Sequence, residues 1–228
     1  IDFKEIDLSQ TLFNRKLNIP LLISSMTGGT PEAESINHVL AEAAQYEGAA
    51  MGVGSQRAAI KHPELARTYQ VRKYAPDILL LANLGVVQLN YGFTVEHYKQ
   101  AVDMLGADGL ILHMNALQEA VQPEGDTNFS GLLKKIEQLC RWLPVPVIAK
   151  EVGNGISEHT ARQLLDAGVS AIDVAGVGGT SWSQVEMYRN TNPYQARVAG
   201  AFREWGVSTS DSICNVKKVN PKAIIFAS

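Results

Sequence analysis

Disulfides do not hold this chain together. It has 2 cysteines in 228 residues, Cys140 and Cys214, far apart in sequence, which make no disulfide framework and no zinc-type spacing. A reducing cytoplasm is the expected setting. A surplus of positive charge is also missing. Lys and Arg number 20 against 23 Asp and Glu, a net charge of -3. That leaves nothing to neutralise a nucleic-acid backbone, so no nucleic-acid partner is expected. The basic pairs Arg72-Lys73, Lys134-Lys135 and Lys217-Lys218 read as solvated helix faces or loops. Apolar runs are broken by Asn, Gly or Lys well before membrane-spanning length, so no membrane is expected either. The opening "IDFKEIDLS" has no signal-peptide pattern and no methionine, and a preceding N-terminal segment is expected. Neither a Ser-His-Asp arrangement nor a zinc site can be traced, which argues against hydrolysis.

What is there is ordinary globular material, 46% hydrophobic and 19% charged, enough for a single domain over residues 1–228. Short apolar runs recur at 19–26, 49–54, 78–85, 109–114, 145–152, 171–176 and 223–228. Often continuously apolar, they suit strands buried on both faces. Amphipathic stretches lie between them. In 31–48, Ile36, Val39, Leu40 and Ala43 fall on one helical stripe, the expected core face. Further helices are expected at 130–143 and at 157–168, the latter with Ser157 as N-cap and Gly168 as C-cap. One or two more are expected between the sixth and seventh strands. Strands alternating with helices predict a parallel sheet and an α/β fold, the (β/α)8 TIM barrel. A barrel needs eight strands, and the seventh run ends the chain. A terminal strand and helix are therefore expected beyond it. A doubly wound sheet is the alternative, although no GxGxxG fingerprint is present.

Active sites of such barrels lie at the C-terminal strand ends. Each of the first six runs here ends in polar or glycine chemistry. They lead in turn to Ser25, Met26 and Thr27; to Ser55, Gln56 and Arg57; to Asn83; to His113, Asn115, Gln118 and Glu119; to Lys150 and Glu151; and to Thr180, Ser181 and Trp182. Hydroxyls, amides, a lysine and exposed backbone N–H groups suit a flat, hydrogen-bonding cofactor with a phosphate. Arg57 offers an anion partner. Glu119, with Asp126 as a weaker candidate, offers hard oxygen to Mg²⁺. Loop capping or helix pairing is at least as good a reading of Glu151, Glu124 and Asp126. Glu186 and Arg189 read as a helix ion pair.

The ordered set "SSMTGG", "GVGSQR", "LHMNALQEAVQPEGD", "VIAKEVGNG" and "GVGGTSW" resembles the type 2 isopentenyl diphosphate isomerases, from about Ile19 to the end. The resemblance implies an FMN-dependent barrel enzyme in isoprenoid precursor biosynthesis. Such enzymes interconvert isopentenyl and dimethylallyl diphosphate with reduced FMN, Mg²⁺ and NADPH as reductant. It implies flavin contacts at Ser25, Met26, Thr27, Ser55, Asn83, Lys150 and Thr180. Ser55, Gln56 and Arg57 are expected at the substrate diphosphate. His113 and Asn115 are expected near the substrate, Gln118 in proton transfer and at the substrate, and Glu119 on Mg²⁺. Trp182 is expected to border the hydrocarbon. A homotetramer or larger homo-oligomer is also implied. The family's basic pair near the N-terminus and its glycine-rich turns after the last strands are expected outside the given sequence. Two other functions remain open on the residues alone: an FMN-dependent 2-hydroxyacid oxidase, and a non-catalytic FMN- or phosphate-binding barrel.

Overall fold

A computed structural model describes residues 2–228. Two short strands come first, β1 (Gln10–Leu12) and β2 (Arg15–Leu17), paired antiparallel. Phe13 and Asn14 between them have φ of 48° and 63°, the left-handed pair that a two-residue hairpin turn requires. The seven apolar runs become β3 (Leu22–Ile23), β4 (Ala50–Gly52), β5 (Leu80–Gly85), β6 (Gly109–Met114), β7 (Val147–Glu151), β8 (Ala171–Asp173) and β9 (Ile224–Phe226). They pair in strict chain order in one 7-stranded sheet, parallel wherever the register is described. That is (β/α)-barrel topology. A doubly wound sheet would reverse its order at a switch point, so that alternative is excluded. No helix among the described residues is long and apolar enough to cross a membrane.

The chain divides into two compact units. One comprises the chain through Leu84 together with Glu96–Ile111, the other Gly85–Val95 with Leu112–Ser228.

In the first unit, α1 (Pro31–Glu47) starts at Thr30, whose side chain accepts from the N–H of Ala33. It ends at Gly48, left-handed at φ 66°. Its buried residues are Ala33, Asn37, Ala41 and Ala44. The expected stripe is corrected here: Ile36 is 47% and Val39 65% exposed, and Ala43 is exposed as well. The helix turns its small side chains inward, against a sheet whose own residues are large and fully buried, among them Met51, Leu80 and Leu81. Bulk on one side of a close-packed layer needs small groups on the other. Two short elements follow: α2 (Arg57–Lys61), and α3 (Val95–Leu105), which buries Tyr98 and Leu105.

Arg72 does not lie on a solvated face. Its guanidinium donates to the carbonyls of Ala75, Ile78 and Gly106 and pairs with Asp108 at 2.7 Å. Asp108 also accepts from Arg15 and from the N–H of Leu80, so this cluster pins the β1–β2 hairpin. Lys135, half-buried, departs from expectation in the same way, whereas Lys217 is exposed on a helix as expected. Lys135 Nζ donates to Leu89 O at 2.6 Å, and Lys217 Nζ to Ala223 O at 2.9 Å. Carbonyls left without partners at chain turns draw in nearby cations.

The second unit holds α4 (Ala116–Val121), α5 (Leu132–Trp142) and α6 (Glu158–Asp166). Ser157 caps α6, accepting from Thr160 N at 3.1 Å, and Gly168 closes its exit at φ 94°. The long gap before β9 forms α7 (Trp182–Arg189), α8 (Pro193–Gly200) and α9 (Thr209–Val219). Asn192 caps α8 through the N–H groups of Tyr194 and Gln195.

Candidate active site

The expected site residues divide between the two units.

In the first unit the polar strand ends form a tight backbone cluster. Thr27 Oγ1 donates to Asn37 Oδ1 at 2.5 Å. Asn37 Nδ2 in turn donates to Thr27 O and Thr68 O, at 3.2 and 2.9 Å. The buried asparagine of α1 is therefore the fastener of the "SMTGG" loop. Gly54 N donates to Thr27 O at 2.8 Å, and a Cβ on Gly54 would stand 2.5 Å from that same oxygen. Only glycine lets the two loops approach so closely. Tyr69 O–H donates to Ser55 O at 2.8 Å, and its ring covers Gly28; burial pushes its phenol up to about 12. Met26 is 68% exposed. Ser25 Oγ is buried yet has no protein partner. A deficit of that kind at a strand end is what a hydrogen-bonding ligand would supply.

Gln56 is fully buried. Its Oε1 accepts from Asn83 N at 3.0 Å and its Nε2 donates to Ala101 O at 2.9 Å. Its own N–H donates to Asn83 O at 2.8 Å. The side chain is thus committed to protein, locking the β4–α2 junction that carries Ser55 and Arg57. Replacing Gln56 with alanine leaves two buried backbone groups unpaired and opens a cavity. The expected loss is about 3 kcal/mol of unfolding free energy, measurable by urea titration. A loss within experimental error would show that the junction does not depend on it.

In the second unit, the stretch after β6 forms a polar network. Asn115 Nδ2 donates to Gln118 Oε1 at 3.1 Å and to Glu119 Oε1 at 3.0 Å. Gln118 Nε2 donates to Glu186 Oε1 at 3.0 Å. Glu186, buried on α7, is held by Arg189 at 3.0 Å. The expected ion pair therefore exists, but it belongs to a chain running through Gln118. Glu119 Oε2 accepts from Gln122 Nε2 at 2.6 Å and from Asp126 N at 2.7 Å. Gly125 lies directly against the Glu119 carbonyl, where no side chain fits. Asn115 Oδ1 is buried without a partner. The half-buried His113 ring sits over Gly85, whose added Cβ would meet its Nε2 at 2.9 Å.

Lys150 and Asp173, register partners on β7 and β8, are 8% and 1% exposed. Lys150 Nζ lies 3.2 Å from Asp173 Oδ2. Glu151 bends back so that Oε2 accepts from the N–H groups of Val152, Gly153 and Asn154, the loop capping considered for it. Thr180 is exposed, and its carbonyl packs against Gly153 at φ 137°. Trp182, half-buried, opens α7. Next to β8, Ala175 is forced to φ 31°, strain of a kind that gathers at functional loops.

Burial raises the Glu151 carboxyl above its ordinary 4.5, outweighing the three backbone N–H groups and Lys150, which lower it. The folded state therefore holds this proton more tightly than the unfolded chain does. Its contribution to stability is present below pH 4.5 and is lost as pH rises through the raised value. Glu151→Gln removes that dependence. Its stability relative to wild type should improve between pH 4 and pH 7, as followed by denaturant titration. A constant difference across that range would contradict the assigned cause.

Two residues of the site were not anticipated. Asp173 could have been found as the one carboxylate inside the buried "AIDVAG" run, and Asn37 only by an amide interrupting the alanines of α1. Glu186 was visible only as half of a helix pair.

Among the described residues no group of three or more His, Cys, Asp or Glu could hold a metal alone. A one-carboxylate arrangement, with substrate oxygens completing the shell, needs no such group. Glu119 fits it: Oε1 accepts one protein hydrogen bond and retains a free lone pair. In the first unit the orphaned Ser25 Oγ, and in the second the orphaned Asn115 Oδ1 and the buried Lys150, are each groups that a ligand rich in donors and acceptors would satisfy.

Chain-order parallel strands with polar C-terminal ends define the class, a (β/α) barrel. A solved mandelate oxidase mutant with a monooxide FMN adduct shares the fold, at a TM-score of 0.53 and 13% identity over 99% of this chain and 69% of that one. No family model matches. The isopentenyl-diphosphate delta-isomerases of Synechocystis and Nostoc are 58% and 57% identical over the whole chain, which spans 65% of their length. That of Rickettsia bellii is 53% identical, with 67% of its length covered. The chain belongs to the type 2 isopentenyl-diphosphate delta-isomerase family, the one its motifs resemble.

Proposed function

We propose that the protein interconverts isopentenyl and dimethylallyl diphosphate, with reduced FMN and Mg²⁺ and with NADPH as reductant, as one (β/α)8 domain of a cytoplasmic homotetramer or larger assembly. The observation that carries this reading is the network from Asn115 through Gln118 to Glu186, with Glu119 bonded to the same asparagine. It links a candidate metal carboxylate to a second carboxylate through two side-chain amides.

The reaction adds a proton to the terminal alkene carbon and removes one from the carbon next to the diphosphate-bearing CH₂. The cation character between these steps must be kept from water. FMN, when bound in reduced form, supplies an electron-rich face that favours a cation and a proton source at its ring. The chain's own residues do the rest. Gln118 has no useful acidity, but its Nε2 donates to Glu186 Oε1: a proton taken from the substrate at Gln118 Oε1 would be balanced by an Nε2 proton passed to Glu186, leaving the amide as its imidic-acid tautomer. Asn115 fixes the Gln118 amide in that direction. Glu119 would hold Mg²⁺, which neutralises and anchors the diphosphate. Ser55 and Arg57 would bind its oxygens, and Gln56 would serve by holding their junction in place. His113 would contact the substrate and Trp182 its hydrocarbon. Ser25, Met26, Thr27, Asn83, Lys150 and Thr180 would contact the flavin.

The test is turnover of isopentenyl diphosphate by the full-length protein, omitting FMN, reductant or Mg²⁺ in turn. Conversion only when all three are present supports the proposal. Conversion without flavin would sink it, and oxidation of a 2-hydroxyacid would favour the oxidase reading.

A further inference from the structure

The pair formed by Lys150 and Asp173 is more than a packing device. The ammonium donates to two neutral oxygens, Glu151 O at 3.1 Å and Ser228 Oγ at 3.4 Å. Its ion-pair partner among the described residues is Asp173, at 3.2 Å. The other neighbouring acid, Glu151, spends Oε2 on three backbone N–H groups instead. Asp173 is the more deeply buried of the pair. Its Oδ1 accepts from Ser228 Oγ at 2.7 Å, while Oδ2 accepts no aligned hydrogen bond. A buried ion pair adds little stability over an apolar one of equal volume. Its clear physical effect is on the field: a carboxylate this close offsets much of the positive charge that the lysine presents to anything bound beside it.

We infer that Asp173 is a positioning residue for the cofactor site, which acts through Lys150 by tempering the positive charge offered to a bound flavin. This rests on the reading of Lys150 as a flavin contact. Reduced flavin carries more negative charge than oxidised flavin, so the balance between lysine and aspartate sets the preference for one form over the other. Ser228 adjusts that balance by sharing its hydroxyl proton with the aspartate.

The experiment measures dissociation constants of oxidised FMN and of anaerobically reduced FMN for the full-length protein and three variants. Asp173→Asn keeps a hydrogen-bond acceptor near Ser228 and removes the charge. It should raise the preference for reduced over oxidised FMN roughly tenfold. Lys150→Met should lower that preference by a similar factor. Ser228→Ala should lower it about twofold, because the aspartate loses a donor that disperses its charge. An unchanged preference in Asp173→Asn with FMN still bound overturns the inference. Should that variant not fold, Ser228→Ala decides, and an unchanged preference there also overturns it. If Lys150→Met binds both forms as wild type does, the flavin contact itself has failed, a result distinct from failure of Asp173 alone.

Discussion

Replacing Gln118 with alanine should cut turnover of isopentenyl diphosphate roughly 10²–10⁴-fold, the range for removing a group that directs proton transfer. The side chain bridges Asn115 and Glu186. Without it the Glu186 carboxylate keeps Arg189 but loses its route to the substrate. Gln118 is half-buried near the start of α4 and outside the apolar core, so folding should change by less than about 1 kcal/mol. FMN binding should be unchanged. The informative comparison is Glu186→Gln. If Gln118 works by relaying protons to that carboxylate, both variants lose kcat and leave the KM for substrate nearly constant. If Gln118 only shapes the pocket, Glu186→Gln retains turnover and Gln118→Ala mainly raises KM.

Glu119→Ala should be more disruptive, because on the proposed function one carboxylate has two tasks, holding Mg²⁺ and anchoring its loop. It accepts from Asn115 Nδ2, Gln122 Nε2 and Asp126 N. Deleting it in a buried setting strands those donors, at about 3 kcal/mol of stability. Glu119→Gln separates the two functions. It preserves volume and one acceptor oxygen but lacks the charge that Mg²⁺ needs. Its kcat/KM should fall roughly 10²–10³-fold, a metal's share of charge stabilisation being several kcal/mol. The fall should come through KM, and millimolar Mg²⁺ should no longer accelerate the reaction. Retention of the wild-type Mg²⁺ dependence in Glu119→Gln would place the metal elsewhere.

The strands and their order were legible in the chain for a simple reason. Strands buried on both faces are written as unbroken apolar runs such as "LIL", and their C-terminal ends interrupt those runs with polar residues. The helices were legible in position but not always in facing. Periodicity placed Ile36 and Val39 in the core, whereas α1 docks through alanines and Asn37, because the sheet already supplies the bulk. The β1–β2 hairpin was not anticipated, since strands of three residues carry no period and its turn is Phe13-Asn14 rather than a glycine pair. Arg72 was misplaced for a related reason: a basic pair looks alike whether its partners are water or carbonyls 3 to 34 residues away. In the site, residue types could be read but not their engagement. Nothing in "GVGSQR" tells that Gln56 turns inward while Arg57 remains half-buried, and nothing in "AIDVAG" pairs Asp173 with Lys150. Such links run between strands, where register rather than spacing decides.

Proton NMR of isopentenyl diphosphate in heavy water, with the full-length protein, Mg²⁺ and anaerobically reduced FMN, tests the central claim most directly. The account predicts dimethylallyl diphosphate bearing deuterium, its formation suppressed in Gln118→Ala although FMN stays bound. Wild-type protein that binds FMN yet returns substrate without isomerisation or exchange would contradict it.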